Sequence, residues 1–390
     1  MLETGIVTHP IARDWDRYFE QDMGRGNQYQ SDHDLFAEMV SLAVTAEDCG
    51  YDFVFAPEHH VSPYGLSVNP LQFMTFLAGR TKRINFGTSI VVLPWWNPLR
   101  VAEELALLDN LAPERKKLIG VGRGVAPFEY AALAVPYDDR RERNDEAIEI
   151  IRLALTQESF SYEGEVFQIP EVTLRPRPVN ADLVDSLLIA ATSDETLIEG
   201  GRRGLGLIYA GQKSTGLTRA DVEMLNRERV DNGFEPTQPV ILTWLMCCAS
   251  EQEARDRLAQ AVSGLLFDLT NNYAQPVWDQ FDRGAGYEAF VSGLQAQATE
   301  SDVKAVERFI DNQIWGTPEQ CLEKVRALQE QTGARNISFQ VQYGDLSHDE
   351  AIASLSLFAR ASIDKLHTIP TDMPDWIREA AGGESVLATS

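Results

Sequence analysis

Two histidines stand side by side in Pro57-Glu58-His59-His60, directly after a short apolar run, in a chain that holds only six. Imidazole titrates near neutrality, so a histidine at a strand end suits general acid–base work, with Glu58 as its acidic neighbour. The structural alternative is that one ring packs and the other closes a loop. There is no H-E-x-x-H pattern and no third ligand in view, so a metal site is not expected.

An anion could be held elsewhere. Arg123 lies in Lys117–Glu129 (KLIGVGRGVAPFE), flanked by Gly122 and Gly124, which leave its side chain room to reach. A surface salt bridge is the competing reading. In Ala191-Thr192-Ser193-Asp194-Glu195-Thr196 the hydroxyls and helix-start N–H groups form a natural phosphate cradle. The same residues, Thr192-x-x-Glu195, also spell a capping box, and the acids oppose an anion. Aromatic rings gather on the early loops: Trp15, Tyr18, Phe19, Tyr64, Trp95 and Trp96. Exposed rings are costly, so they line a pocket or an interface, and Tyr64, Trp95 and Trp96 beside His60 are read as pocket.

The elements that must position these groups are legible. Apolar runs occur at Thr4–Thr8, Phe53–Ala56, Ile84–Leu93, Lys117–Val121, Ser186–Ala190, Gly206–Ala210, Val240–Ala249 and Asn336–Gln342. They are near-continuous rather than alternating, as parallel strands buried on both faces require. Amphipathic stripes separate them, including Leu35, Met39, Leu42, Ala46 and Ala147, Ile148, Ile151, Leu155. Asn69-Pro70, Asn97-Pro98 and Thr317-Pro318-Glu319-Gln320 mark helix starts. Eight strands, each followed by a helix, predict an α/β fold, a single (β/α)8 TIM-type barrel with insertions at its C-terminal face. A doubly wound sheet is disfavoured, because Gly120, Gly122 and Gly124 lack the third small residue of a dinucleotide fingerprint. Those glycines read as backbone that a flat ligand can approach.

The barrel is expected over residues 1–367, with a tail from 368 to 390 that frays at its end. Residues 9–30, 160–178 and 263–315 exceed a minimal barrel. The second carries a hairpin turn at Tyr162-Glu163-Gly164-Glu165, and the other two are lid candidates. The chain has 390 residues and a formal net charge of −25, which repels nucleic-acid phosphates and anionic lipids. Cys49, Cys247, Cys248 and Cys321 form no C-x-x-C, no long apolar span occurs, and Met1–Pro10 lacks a signal-peptide pattern. A cytoplasmic enzyme with buried thiols is the expectation.

The run Phe53–Asn69 (FVFAPEHHVSPYGLSVN), Gly79-Arg80-Thr81-Lys82, Gly87-Thr88 through Leu93-Pro94, and Arg100–Arg115 (RVAEELALLDNLAPER) resemble the bacterial luciferase family of flavin-dependent monooxygenases. Arg123-Gly124, Arg143-Asn144-Asp145-Glu146 and Gly316-Thr317-Pro318-Glu319 continue the resemblance in order to about residue 365. It implies a (β/α)8 barrel using FMN as FMNH2 from a separate flavin reductase, molecular oxygen, a flavin C4a-(hydro)peroxide, a small apolar substrate and a homodimer. His59 matches the active-site histidine and Glu58 its neighbour. Arg123, Arg143 and Thr192–Thr196 match positions that hold the flavin phosphate. Ser89-Ile90 falls where the family often carries a non-proline cis peptide under the flavin ring.

Two departures stand out. Gly122 occupies the luciferase reactive-cysteine position, so light emission has no support, and Ala191-Thr192 replaces the usual Glu-Ser. Deazaflavin (F420)-dependent hydride transfer on the same barrel, and flavin binding without catalysis, remain alternatives. The substrate is not legible in the sequence.

Overall fold

The computed structural model describes residues 1–11, 30–61, 64–191, 193–210, 218–267, 307 and 309–380. Eight parallel strands form a closed barrel: β1 (Glu3–Val7), β2 (Phe53–Ala56), β3 (Asn85–Val92), β4 (Lys117–Gly122), β7 (Leu187–Ala190), β8 (Gly206–Ala210), β9 (Val240–Cys247) and β11 (Asn336–Gln340). Closure runs from β8 through β9 and β11 back to β1. All eight strand expectations coincide with these elements.

Two strands depart from the plain barrel. The lower part of β9 pairs with β11, while Leu245–Cys247 pairs with the short extra strand β10 (Ile314–Gly316). The β3–β4 register shifts between Thr88 and Val91, bracketing the Ser89-Ile90 peptide bond, which is cis. The expected turn at 162–165 joins an antiparallel hairpin, β5 (Phe160–Glu163) and β6 (Gln168–Val172). Glu146 holds that hairpin by accepting backbone N–H bonds from Glu165, Val166 and Phe167.

Inside the barrel, Val7, Phe53, Phe55, Leu118, Leu188 and Ile208 pack together, while the alternate residue Val54 joins the outer layer under the helices. Glycine makes this interior fit: a Cβ at Gly87 would stand 2.2 Å from the Phe55 ring. Several helices of the outer ring carry side-chain caps, at Asn69, Asn97 and Thr317 as expected. Ser31 caps α1 (Asp32–Asp48), Asn69 caps α2 (Pro70–Ala78) and Asn97 caps α3 (Pro98–Leu111). Two further helices, α4 (Pro127–Ala132) and α5 (Arg140–Thr156), follow β4; α6 (Asp194–Arg202) follows β7; α7 (Arg219–Asp231) follows β8; and α8 (Glu251–Phe267) follows β9. Thr317 and Gln320 form a capping box on α9 (Pro318–Thr332), and α10 (His348–Leu366) follows β11. Beyond α10 the chain stays packed: Ile369 is buried, and α11 (Asp375–Ala380) seats Ile377 against Gly333. The four cysteines are free thiols. Among the described residues no helix is long and apolar enough to cross a membrane. Most of the two lid candidates, with Trp15, Tyr18 and Phe19, and the end of the tail lie outside the described residues.

Candidate active site at the carboxyl end of the barrel

The chain leaves β2 through Pro57 directly into Glu58, His59 and His60. Glu58 is fully enclosed. Its carboxylate accepts from Val92 N at the end of β3 (2.7 Å), from Trp96 Nε1 (2.7 Å) and meets His60 Nε2 at 2.9 Å. Burial raises its pKa and these donors oppose that rise. These three partners tie Glu58 to the end of β3, to Trp96 and to the neighbouring His60. His60, Trp95 and Trp96, expected to line the pocket, belong to the same cluster: Trp96 points at Glu58, and Trp95 packs edge-on against His60 and Tyr130.

His59 is placed differently. Its imidazole stacks on His9 at 5.4 Å between centroids, and Tyr64 meets both rings edge-on at 4.9 Å. Its Nδ1 lies 3.4 Å from Glu129 Oε1, and the same oxygen accepts the His60 backbone N–H at 2.8 Å. Gly65 presses its bare backbone on the ring, since a Cβ there would come within 2.7 Å of His59 Cδ2. Glu129, on α4, is fully buried. Burial, then the charge of His59, pushes His9 down to about 3, so His9 stays neutral at physiological pH.

Sequence reasoning missed Glu129 and His9. The available signals were an acid isolated in the apolar stretch GVAPFEYAALAV, and a histidine at the end of β1, the position His59 approaches from β2.

The residues expected to hold an anion meet where β4 and β7 end. Arg123 Nη2 donates to Thr196 Oγ1 at 3.0 Å, and Ser193 Oγ lies 3.0 Å from the same hydroxyl. Gly124, at φ 64°, turns the chain sharply after Arg123. Ser193 is the N-cap of α6, and it makes no side-chain capping bond. Thr192, and with it the capping-box alternative, lies outside the described residues. Glu195 instead takes Arg141 of α5 in a two-pronged ion pair.

Arg141, and not the expected Arg143, lines the cleft beside Arg123. Two positions along a helix differ by about 200°, so the two arginines face apart. Arg143 donates Nε to Pro94 O at 2.9 Å and lies over the Phe167 ring. A shallow cleft is lined by Arg123, Arg141, Asn144, Glu195 and Thr196 among others. Beside it, Gly122 leaves space that Ile90 uses: a Cβ there would lie 2.6 Å from Ile90 Cδ1.

Across the mouth, Tyr64, Trp244, Met246, Phe309, Trp315 and Tyr343 form an apolar cluster with α8. Among the described residues no group of three or more His, Cys, Asp or Glu could hold a metal ion.

Known proteins share this arrangement of elements. A family model described as luciferase-like monooxygenase matches residues 19–336. The alkanal monooxygenase alpha chain of Photorhabdus luminescens is 25% identical over 326 residues, 82% of this chain and 88% of that one. The oxygenase component of a flavin-dependent trigonelline monooxygenase from Acinetobacter baylyi is 31% identical over 159 residues, 40% of this chain and 44% of that one. Among solved structures, monooxygenase RslO1 from Streptomyces bottropensis has a TM-score of 0.72 at 24% identity, covering 93% of this chain and 99% of its own. The oxygenating constituent of 3,6-diketocamphane monooxygenase from Pseudomonas putida, in complex with FMN, has a TM-score of 0.68 at 21% identity, covering 92% and 97%. An F420-dependent secondary alcohol dehydrogenase has a TM-score of 0.66 at 16% identity, covering 92% and 98%.

Proposed function

The chain belongs to the luciferase-like monooxygenase family, and from that premise we propose that it is the oxygenase of a two-component system. It would take FMN in the reduced state from a separate flavin reductase and oxygenate a small apolar substrate with dioxygen. The observation that carries this reading is His59, fixed between Glu129 and Tyr64 at the same barrel end as the Arg123–Thr196 cradle. Barrel enzymes build their chemistry at that end.

The residues present fit a flavin phosphate. Arg123, Arg141, Ser193 and Thr196 offer two guanidinium groups and two hydroxyls around one cleft. Gly122, without a Cβ, and the Ile90 side chain packed against it would offer the flat floor for the flavin ring. When bound, reduced FMN supplies the electrons that activate dioxygen, with one oxygen atom passing to substrate and the other leaving as water.

The protein's own work is positional. Glu129 would orient the His59 ring through Nδ1, and Nε2 is the atom we assign to proton transfer at the substrate. Trp244, Met246, Phe309 and Tyr343 would exclude water from the apolar side of the mouth. Glu58 keeps the loop carrying the histidines fixed against β3. Four free cysteines fit a reducing compartment such as the cytoplasm.

The test is a reductase-coupled assay with labelled dioxygen over alkanals and apolar ketones, read by product mass. One label per product supports the reading. Substrate-driven cofactor reduction under argon, without oxygen uptake, would instead favour the F420 hydride-transfer alternative. Cofactor binding with neither outcome would mark a non-catalytic flavin carrier. His59→Ala is expected to keep FMN binding and to uncouple oxygen consumption from product.

A further inference from the structure

Resting on the reading of the α6 cleft as the flavin phosphate site, we infer that Glu195 is a built-in competitor for that phosphate. It occupies Arg141 until a dianion displaces it, which keeps the flavin exchangeable.

The geometry is that of a ligand mimic. Both terminal nitrogens of Arg141 engage both carboxylate oxygens of Glu195, with Nη2 to Oε2 at 2.6 Å. This is the fork a guanidinium presents to two phosphate oxygens. The pair is not a local helix contact, because it joins α5 to α6 across 54 residues of chain. It also sits inside the cleft that holds Arg123 and Thr196. The other two acids of the cleft are already committed elsewhere, since Arg203 pairs with Asp145 at 3.3 Å and with Glu199 at 2.6 Å.

Charge balance points the same way. Arg123, Arg141 and Arg203 face Asp145, Glu195 and Glu199 in one lining, three against three, so the cleft carries no net charge. A neutral cleft in a chain of net charge −25 is a poor trap for a dianion. Neutralising Glu195 would leave it net positive and free the second guanidinium. Side-chain exposures of 39% for Arg141 and 57% for Glu195 let the pair open without disturbing the core. For a cofactor that arrives reduced and leaves oxidised in every turnover, a self-paired arginine lowers affinity and speeds release.

The experiment uses the full chain and Glu195→Gln, titrated with FMN, riboflavin and inorganic phosphate by flavin fluorescence, with release followed by stopped flow. Glu195→Gln is expected to bind FMN about fivefold tighter and to release it more slowly, with riboflavin unchanged. Inorganic phosphate should compete better in the variant, and the gain should shrink when Arg141→Ala is added. Equal or weaker FMN binding by Glu195→Gln, with phosphate still competing in both proteins, overturns the inference and leaves the phosphate site standing. Equal binding of FMN and riboflavin by the unaltered protein, with no phosphate competition, rejects the phosphate site itself and the inference with it.

Discussion

The Nδ1 atom of His59 and the Oε1 atom of Glu129 lie 3.4 Å apart, and that oxygen also receives the His60 backbone N–H. One fully buried carboxylate therefore faces the ring of one histidine and accepts from the backbone of the next. Glu129→Gln keeps the size and can still accept one bond, but it removes the charge facing the ring. The expected result is a fall in coupled turnover of about tenfold or more with FMN affinity unchanged. Parallel measurement of kcat and flavin binding checks it, and an equal loss in both would mark Glu129 as merely structural.

Glu58 gathers donors from Val92, Trp96 and His60 into one enclosed carboxylate. Glu58→Ala strands these groups in a buried site, so urea unfolding should show a loss of about 3 kcal/mol or more. Glu58→Gln should cost less, because its one carbonyl oxygen still satisfies part of the set.

Arg141 and Arg143 are expected to separate in function. Arg141→Ala should weaken FMN binding about tenfold and leave riboflavin binding unchanged. Arg143→Ala should leave both affinities near those of the unaltered protein, since its Nε serves Pro94 O. Fluorescence titration of the two variants side by side decides between them.

His9 gives the protein an acid limb. Its pKa is about 3 in the fold against 6.5 for the free side chain, so below pH 6.5 the unfolded chain takes up a proton the folded chain refuses. This contribution is intact above pH 6.5 and is lost progressively down to about 3. At 1.4 kcal/mol per unit, about 2 kcal/mol is lost between pH 6.5 and 5. His9→Gln should flatten that limb by the same amount in urea titrations at the two pH values.

The barrel was readable because parallel strands covered on both faces write themselves as apolar runs, as Phe53–Ala56 and Val240–Cys247 do. Short β10 escaped, since three residues set no period. At the site, His59, Arg123 and Thr196 stand out because strand ends and glycine neighbours flag them locally. Glu129 does not, because its partner His60 is 69 positions away and only the folded chain brings them together. Arg141 and Arg143 lie in a polar stretch, Arg140-Arg141-Glu142-Arg143, where the side facing the cleft depends on the rotation of α5.

The most direct test of the account is a crystal structure of the protein with reduced FMN bound under anaerobic conditions. The account predicts the phosphate on Arg123, Arg141, Ser193 and Thr196, and the ring over Gly122 and Ser89-Ile90 with an edge toward His59. A phosphate lodged away from Arg123 and Thr196, or a ring remote from His59, would contradict it.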